Sequence, residues 1–380
     1  MGPLTGIRVV EMAAIGPVPL AGMLLSDLGA DIIRIDRTKG GSSLGDNPAD
    51  ITGRGRRSIA IDLKQPAGIE AVLRLVDWAD VLLEGFRPGV MEKNGLGPDV
   101  CLARNPRLIY GRMTGWGQDG PLAHAAGHDI NYIAITGGLA AIGRRQGGPV
   151  PPLNLLGDYG GGTMYLLVGV LAALVERNAS GKGQVIDAAI TDGVVSLLAY
   201  HLTQQALGLW SRERQNNMLD GGAHYYDTYE CADGRWISVG SIEPQFYTLL
   251  LEKIGVPMEA AGLDAHFAPA RWPALKERLA AVFRTRTCAE WCALMEGTDV
   301  CFAPVLPMDE APDHPHNRAR GSFVTRDGVV QPAPTPRFSR TPGEIQGPPV
   351  AVGQQTDEIL TMLGYDAAAI ARLRAEAVVK

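Results

Sequence analysis

Short apolar runs rich in β-branched residues alternate with helical patterns in the first third of the chain, and this alternation limits the fold more than any other feature. The pattern predicts strands at Ile7–Met12, Asp31–Asp36, Asp80–Glu84 and Leu108–Arg112, with helices between them at Pro19–Leu28 and Gly68–Trp78. Strands separated by helices of this length build βαβ units around a parallel sheet. The fold class predicted from the residues is therefore α/β.

Three loops follow the carboxyl ends of these strands, which is where parallel sheets bind their ligands. The loops hold Arg37, the turn Gly85–Arg87 and the segment Thr114–Gln118, so we expect a ligand to meet these residues. The turn after the first strand reads AAIGPVPLAG and lacks the Gly-x-Gly-x-x-Gly fingerprint of dinucleotide-binding folds. A nicotinamide or flavin cofactor is therefore not expected.

The basic residues cluster early, although the chain as a whole is acidic. A net charge of −6 argues against a general nucleic-acid-binding protein. The cluster consists of Arg34, Arg37, Lys39, Arg54, Arg56, Arg57 and Lys64. Such a cluster can form a solvated face, or its guanidinium groups can bind a phosphorylated ligand. Composition leaves both interpretations open.

The length of 380 residues is enough for two domains. We expect a large domain at 1–195, a linker at 196–223, a small α+β domain at 224–310, a return linker rich in Pro and Gly at 311–350, and carboxyl-terminal helices at 351–380 that pack back on the large domain. Within the small domain, the sequence YYDTYECADGRWISVGS predicts a β-hairpin that turns at Asp233–Gly234.

The expected compartment is the cytoplasm, without a membrane partner. No apolar run in the sequence approaches the roughly 18–20 residues that span a bilayer. The start MGPLTGIRVVEMA has no charged segment or cleavage site typical of a signal peptide. The five cysteines are an odd number without zinc-type spacing, so we interpret them as reduced structural thiols and expect no metal.

Three short segments hold residues that could carry chemistry: 127–132, 154–162 and 240–245. His128 titrates near neutral pH, yet a single histidine after a glycine is more often structural. Asp158 is of a residue type that favours the N-cap of a helix, and a cap residue can also lie in an active site. Glycines are costly in a helix, so Gly160–Gly162 suggest a close approach of backbone and ligand. Glu243 alone reads as a solvated surface residue.

At these segments the sequence resembles the family III CoA-transferases of the CaiB/BaiF type and, within them, the α-methylacyl-CoA racemase branch. The resemblance runs along the whole chain. It rests on the segments GPLTGIRVVEMA, LLSDLGADIIRIDR, RRSIAIDLK, EGFRPGVMEKNGLG, MTGWGQDGPLAHAAGHDINY, PPLNLLGDYGGG, GGAHYYDTYECADGRW and TDEILTMLGYDAAAIARLR, in family order. It implies a Rossmann-like large domain, a small α+β domain and an interlocked homodimer. The active site would lie between the large domain of one subunit and the small domain of the other.

The residue at position 128 distinguishes the branches. Transferases of this family have an aromatic residue there and use the aspartate equivalent to Asp158 as a nucleophile. The racemases keep that aspartate as an acid and base and add a histidine, as His128 does here. Asn154 and Glu243 stand where the racemases have their supporting residues. The resemblance therefore favours catalysis by His128, Asp158, Glu243 and Asn154.

The resemblance also implies which residues bind the CoA thioester. They are Arg37, Ile61, Asp62, Leu63, Lys64, Gly85, Phe86, Arg87, Lys93, Gly127, Asp129, Ile130, Asn131 and Tyr132. Lys93 departs from the arginine common in relatives, which keeps the charge and loses the bidentate fork. Ala223–His224 departs from a proline often found before the paired tyrosines, which leaves the shape of the acyl pocket open.

The implied reaction interconverts the (2R) and (2S) epimers of 2-methylacyl-CoA by two-base proton exchange through an enolate. Backbone N–H groups at the start of the Asp158 helix are the expected donors to the enolate oxygen. No metal or redox cofactor is needed, because CoA is part of the substrate. Fatty acid metabolism is the expected setting, and the physiological acyl group stays open. The alternatives are a family III CoA-transferase with Asp158 as nucleophile and a non-catalytic acyl-CoA-binding protein.

Overall fold

The computed structural model describes residues 2–39, 47, 49–257 and 266–380. The strands are β1 (Arg8–Met12), β2 (Asp31–Asp36), β3 (Arg56–Ala60), β4 (Val81–Glu84), β5 (Ile109–Thr114), β6 (Gln184–Ala189), β7 (Tyr226–Glu230), β8 (Trp236–Gly240), β9 (Phe302–Val305), β10 (Phe323–Arg326) and β11 (Val329–Pro332). The α-helices are α1 (Pro17–Asp27), α2 (Pro66–Trp78), α3 (Val90–Lys93), α4 (Pro98–Arg104), α5 (Asp129–Ala134), α6 (Gly138–Ala141), α7 (Met164–Ser180), α8 (Ile190–Leu197), α9 (Ala199–Ala206), α10 (Pro244–Ile254), α11 (Trp272–Phe283), α12 (Cys288–Met295), α13 (Pro315–Arg320), α14 (Thr356–Met362) and α15 (Ala367–Ala375). A π-helix, Leu155–Thr163, runs directly into α7, and short 3₁₀ turns lie at Ile51–Gly53, Pro269–Arg271 and Ala311–Asp313.

Strands β1 to β6 form one parallel sheet in the order β3-β2-β1-β4-β5-β6. The predicted α/β class with a parallel sheet is therefore confirmed. The four predicted strands are present, and β2 has the predicted bounds Asp31–Asp36. The sequence analysis did not identify β3 and β6, which form the two edges of the sheet.

Prolines set the start of several helices around this sheet. Helices α1, α2 and α4 each have a proline in the first turn, where the missing N–H costs no helical hydrogen bond. Helix α2 places Val72 and Leu75 against Val10 and Leu82 of the central strands. Helices α14 and α15 add Ile359 and other apolar residues to the same core.

Buried ion pairs hold three arginines of the early basic cluster. These pairs are Arg34–Asp36 at 2.7 Å, Arg56–Glu11 at 2.9 Å and Arg54–Asp27. All six side chains are at most 9% exposed, so these arginines are neither a solvated face nor free to bind a phosphate. Breaking such a pair by removing one partner costs about 3–5 kcal/mol. This part of the cluster is structural, which neither interpretation of the sequence foresaw.

The chain divides into two compact units. The first consists of Met1–Thr136, Leu153–Leu197 and Ser322–Lys380, and the second of Gly137–Pro152 and Leu198–Gly321. The second unit has its own core and an antiparallel sheet in the order β7-β8-β9. Its β7–β8 hairpin turns at Asp233–Gly234, where Gly234 has a φ of 75°, so the predicted hairpin is confirmed. The predicted domain limits stay a prediction.

The segment 311–350 contains more regular structure than the extended linker expected from its prolines and glycines. It holds helix α13 and the hairpin of β10 and β11, whose strands pair from Phe323–Pro332 to Arg326–Val329. Proline is tolerated in this hairpin because β11 has no further strand beside it among the described residues.

The π-helix and α7 form one continuous helical segment, Leu155–Ser180, of 26 residues. By length and composition alone it could cross a membrane, since its most apolar 18-residue window has a mean hydropathy of 1.4. The sequence analysis expected no apolar run of this length, because it did not predict that the helix continues through Asp158 and the glycines. A core helix of a soluble domain passes the same criterion, and 39% of the window is buried.

Candidate active site

His128 occupies the N-cap of α5. Its backbone N–H donates to Asn131 Oδ1 at 3.1 Å, and its carbonyl accepts from the N–H groups of Asn131 and Tyr132. These bonds fix the backbone of His128, while its side chain is exposed. The imidazole is therefore held at a defined place and stays accessible to a substrate.

Asp158 lies inside the π-helix rather than at the N-cap that its composition suggested. Asn154 precedes the first residue of the π-helix, and the N–H of Tyr159 donates to the Asn154 carbonyl five residues back, at 3.2 Å. π-Helical turns are rare and occur frequently at functional sites. The expected cap position was wrong because the helix begins three residues before Asp158.

Charged and polar groups surround the Asp158 carboxyl within the first unit. Burial raises its pKa above the usual range, and the neighbouring Asp129 carboxylate raises it further. The Asn154 amide, 3.5 Å from Asp158 Oδ2, and the charge of His128 act in the opposite direction on this pKa. The net shift is upward, which favours the protonated acid.

The glycines of the motif GDYGGG serve close packing within the protein. A Cβ on Gly161 would lie 2.5 Å from Val194 Cγ2 and 2.9 Å from the Val194 backbone nitrogen. A Cβ on Gly193 of α8 would lie 1.9 Å from the Gly161 carbonyl oxygen. The π-helix and α8 thus touch backbone to backbone. This contact accounts for Gly161 without the ligand approach that the sequence suggested.

The turn between β1 and α1 reaches Asp158 as well, which the sequence analysis missed. Gly16 has a φ of 76°, a conformation that favours glycine, and a Cβ there would lie 3.1 Å from Asp158 Oδ2. The only local signal was a glycine placed before the helix-starting Pro17. Its proximity to Asp158 depends on tertiary packing, which local sequence does not encode.

A cavity of about 310 Å³ contains His128 in its wall. Its wall is formed by Gly85, Phe86, Arg87, Pro88, Thr114, Gly115, Trp116, Ala123, Ala125, Ala126, Gly127, His128, Asn131 and Tyr132. Trp116 and Tyr132 meet edge to face with ring centres 4.8 Å apart, and the Tyr132 hydroxyl donates to the Gly127 carbonyl. This side of the cavity is therefore rigid and aromatic.

A second cavity, of about 570 Å³, is lined by basic side chains. Its wall is formed by Arg37, Thr38, Lys39, Ile61, Asp62, Leu63, Lys64, Gln65, Phe86, Val90, Asn94 and Ala377. Phe86 lines both cavities, so the two adjoin at this residue. Arg37, Lys39 and Lys64 supply positive charge suited to phosphate groups.

The structure gathers most, but not all, of the predicted binding residues around these two cavities. Lys93, Asp129 and Ile130 are described residues that lie outside both walls. Lys93 is exposed at the end of α3, and its neighbour Asn94 lines the basic cavity instead. Sequence reasoning missed Thr38, Gln65, Val90, Asn94 and Ala377 as wall residues. Their residue types carry no signal for binding.

Glu243 belongs to the second unit, whereas His128, Asn154 and Asp158 belong to the first. Glu243 is the N-cap residue of α10, and its carbonyl accepts from the N–H groups of Phe246 and Tyr247. Its side chain is exposed. In the part of the chain that the structure describes, no group of three or more His, Cys, Asp or Glu side chains could hold a metal ion.

The sequence profile of CoA-transferase family III matches residues 4–356, which is most of the chain. The chain belongs to CoA-transferase family III. This family III member is 45% identical over 381 residues to a Mus musculus protein named alpha-methylacyl-CoA racemase, with 99% of this chain and 97% of the relative covered. It is 44% identical to the Homo sapiens protein of the same name, with the same coverage.

A solved structure also resembles this family III member. The crystal structure of a CAIB/BAIF family protein from Brucella suis superimposes with a TM-score of 0.82 at 27% identity, covering 95% of this chain and 99% of the other. The likeness extends over both compact units, and the predicted family membership is confirmed.

Proposed function

We propose that this family III protein is a racemase that interconverts the epimers of 2-methylacyl-CoA thioesters. One observation carries the proposal: Asp129, the residue after His128, accepts the backbone N–H of Asp158 on its Oδ2 at 2.7 Å, so the segments that hold the two candidate acid–base residues are in direct contact. This contact supports a shared site for two acid–base groups of different type. The names of the mouse and human relatives, which match this chain over nearly their whole length, support the same reaction.

The proposed chemistry moves one proton off the α-carbon and another onto its opposite face. A neutral imidazole on His128 accepts the α-proton, and the electron pair of the C–H bond moves into the thioester to form an enolate. Protonated Asp158 then donates its proton to the α-carbon from the other side. In the reverse direction the two groups exchange roles. The raised pKa of Asp158 suits this scheme, because a general acid must hold its proton near neutral pH.

The enolate oxygen requires hydrogen-bond donors. The sequence analysis proposed the N–H groups at the start of the Asp158 helix. The N–H of Asp158 itself donates to Asp129 Oδ2 at 2.7 Å and is therefore already engaged. The N–H groups that precede it in the π-helix lack intrahelical acceptors and are the donors that we retain.

The two adjoining cavities match the two ends of an acyl-CoA thioester. Arg37, Lys39 and Lys64 in the larger cavity can bind the phosphate groups of CoA. Phe86 marks the passage to the smaller cavity, in whose wall His128 stands. The protein needs no separate cofactor in this scheme, because CoA is part of the substrate.

We further propose that the protein is a homodimer. Val168, Leu171 and Val175 follow one another along one side of α7 and are 64%, 38% and 72% exposed. The neighbouring edge strand β6 exposes Val185 as well. Exposed apolar side chains beside a free strand edge favour association with another chain. In the interlocked arrangement that the family resemblance implies, the partner would supply Glu243. A cytoplasmic location stays a prediction.

Incubation of the protein with one epimer of a 2-methylacyl-CoA in D2O tests the proposed function. We expect both epimers to accumulate and deuterium to enter the α-position, measured by chiral analysis and mass spectrometry. His128→Ala should abolish the reaction while CoA binding persists. Configuration and α-proton that both stay unchanged, with CoA binding intact, would contradict the racemase and favour the CoA-transferase. A covalent CoA adduct at Asp158 would then be sought with a donor thioester.

A further inference from the structure

One hydrogen bond joins the two segments that carry the proposed acid–base groups. Asp129, the residue after His128, accepts the backbone N–H of Asp158 on its Oδ2 at 2.7 Å. The N–H of a residue in the first turn of a helix has no acceptor within its own helix. The Asp129 side chain supplies that acceptor from another helix. The position of Asp158 is thereby tied to the segment that positions His128.

Gly157 makes room for this contact. A Cβ on Gly157 would lie 2.2 Å from Asp129 Oδ2 and 2.9 Å from Ile133 Cγ2. A side chain at this position would therefore displace either the π-helix or α5. The glycine before Asp158 and the aspartate after His128 form one packing arrangement. Asp129 therefore has a structural contact with the π-helix that is separate from any contact with substrate.

The charge of Asp129 also acts on Asp158. Among the described groups, Asp129 raises the pKa of the Asp158 carboxyl, and His128 lowers it. Tyr132 on α5 also interacts with this carboxyl: burial and, next, the charge of Asp158 raise the pKa of Tyr132, and Arg87 lowers it. The residues of β5, α8 and α1 that touch the nearby glycines are uncharged, namely Met113, Ile190, Val194 and Pro17. Asp129 is thus the negatively charged neighbour that opposes ionisation of Asp158.

We propose that Asp129 is a positioning residue that fixes the backbone of Asp158 and, through its negative charge, opposes ionisation of the Asp158 carboxyl. This inference rests on the proposed racemase function and deepens it. Without Asp129, Asp158 would ionise more readily and hold its proton less well as the general acid. The same side chain thus sets both the place and the protonation state of one base. It does so from the segment that carries the other base.

Asp129→Asn separates the two contributions. The amide oxygen still accepts the Asp158 N–H, but the negative charge is gone. In the direction in which Asp158 is the general acid, its loss of a proton produces the alkaline limb of the pH profile of kcat/KM. We expect this limb to move to lower pH by about one unit, because loss of a like charge lowers the pKa of Asp158. Asp129→Glu keeps the charge and lengthens the side chain. It should lower kcat while the limbs stay in place.

A second measurement is independent of turnover. 13C NMR of protein labelled at the aspartate carboxyl carbons, with the Asp158 signal assigned from Asp158→Asn, reports the titration of Asp158 directly. The pKa of Asp158 should fall by about one unit in Asp129→Asn. The exposed Asp119→Asn is the matched control and should leave it unchanged.

Two outcomes separate this inference from the proposed function. Unchanged titration of Asp158 in folded Asp129→Asn would overturn the inference, even if the wild-type protein racemises its substrate. Absence of racemisation by the wild-type protein would overturn the proposed function, and the NMR titration would still decide the role of Asp129. If Asp129→Asn does not fold, the same titration is made in Asp129→Ala, where a fallen pKa of Asp158 supports the inference and an unchanged pKa overturns it.

Discussion

The backbone N–H of Phe86 donates to the carboxylate of Glu84 at 2.8 Å. Glu84 is fully buried, and its other oxygen accepts from Arg112 at 2.9 Å. Burial raises the pKa of Glu84, while the Phe86 N–H and Arg112 oppose that rise. Since Phe86 lines both cavities, Glu84, which lines neither, fixes the backbone of the residue at which the two cavities adjoin.

Glu84→Ala should therefore loosen the turn and destabilise the protein. We expect the free energy of unfolding to fall by about 3–5 kcal/mol, because Arg112 loses its buried partner. CoA affinity should fall as well, measured by calorimetry beside urea unfolding. The control is Glu92→Ala, which removes the 44%-exposed second partner of Arg112 and should cost less than about 1 kcal/mol. Equal losses in the two variants would contradict this account.

Two lysines that the family resemblance implies in CoA binding differ in position. Lys64 lines the basic cavity, whereas Lys93 lies outside its wall. Lys64→Ala should weaken CoA binding about ten-fold through loss of a charge-assisted contact to phosphate. Lys93→Ala is the matched control and should change the dissociation constant less than about two-fold. A larger effect at Lys93 in calorimetric titration would show that the cavity is not the CoA site.

The exposed apolar side of α7 predicts the oligomeric state. Val175→Asp places a charge at the most exposed of the three residues Val168, Leu171 and Val175. We expect wild-type protein to have the mass of a dimer by light scattering and the variant to have the mass of a monomer. Val100→Asp on α4, where the valine is 44% exposed, is the control and should stay dimeric. A monomeric wild type, or a dimeric Val175→Asp, would contradict the proposed interface.

His224 predicts a loss of stability in acid. This residue, one of the departures from the family pattern, is fully buried in the second unit, with Nε2 2.9 Å from the Tyr247 hydroxyl. Burial lowers its pKa from 6.5 to about 3. Between these two pH values the unfolded chain binds a proton at His224 and the native protein does not. The contribution of His224 to the free energy of unfolding is therefore fully present above pH 6.5 and decreases as the pH falls toward 3.

The expected decrease is about 1.4 kcal/mol per pH unit in this window. It is measured as the difference between wild-type protein and His224→Gln, which stays neutral and keeps a polar group near Tyr247. Urea unfolding from pH 6.5 to pH 5 should show the steeper decline in the wild type. Parallel slopes would mean that His224 is protonated in the native state.

The sheet was predictable where apolar residues outnumber the charges of a strand, as in β2, and unpredictable where a strand begins with charged residues, as in β3. The segment Asp31–Asp36 predicts β2 because it contains three isoleucines, which a strand inside a covered sheet removes from solvent. The sequence RRSIA of β3 begins with two arginines, which resemble a surface segment. Only the tertiary structure supplies Glu11 as the partner that lets Arg56 be buried. Strand β6 is largely exposed, so it lacks the apolar run that marks its neighbours.

The sequence provided candidate residues for the site, whereas the geometry that joins them could not be predicted. His128 and Asp158 could be selected by residue type as candidates, but only the family resemblance implied acid–base roles for them. The π-helix could not be predicted from local sequence, because the N–H of Asp158 in its first turn is bound by Asp129 from another segment. The glycines were identified as unusual, but their packing partners on α8 were not local in sequence.

The basic cavity is closed by residues from far along the chain. Ala377 forms part of its wall, and the Ala377 carbonyl accepts from the Gln65 side chain, 312 residues earlier in the sequence. Nearby, Val379 bridges to Ile61, and the N–H of Lys380 donates to the Ala60 carbonyl. A chain still attached to the ribosome can begin to fold its amino-terminal strands as they emerge. The wall of this cavity stays incomplete until synthesis has passed Ala377, so the proposed CoA ligand would not stabilise the first-made half of a nascent chain.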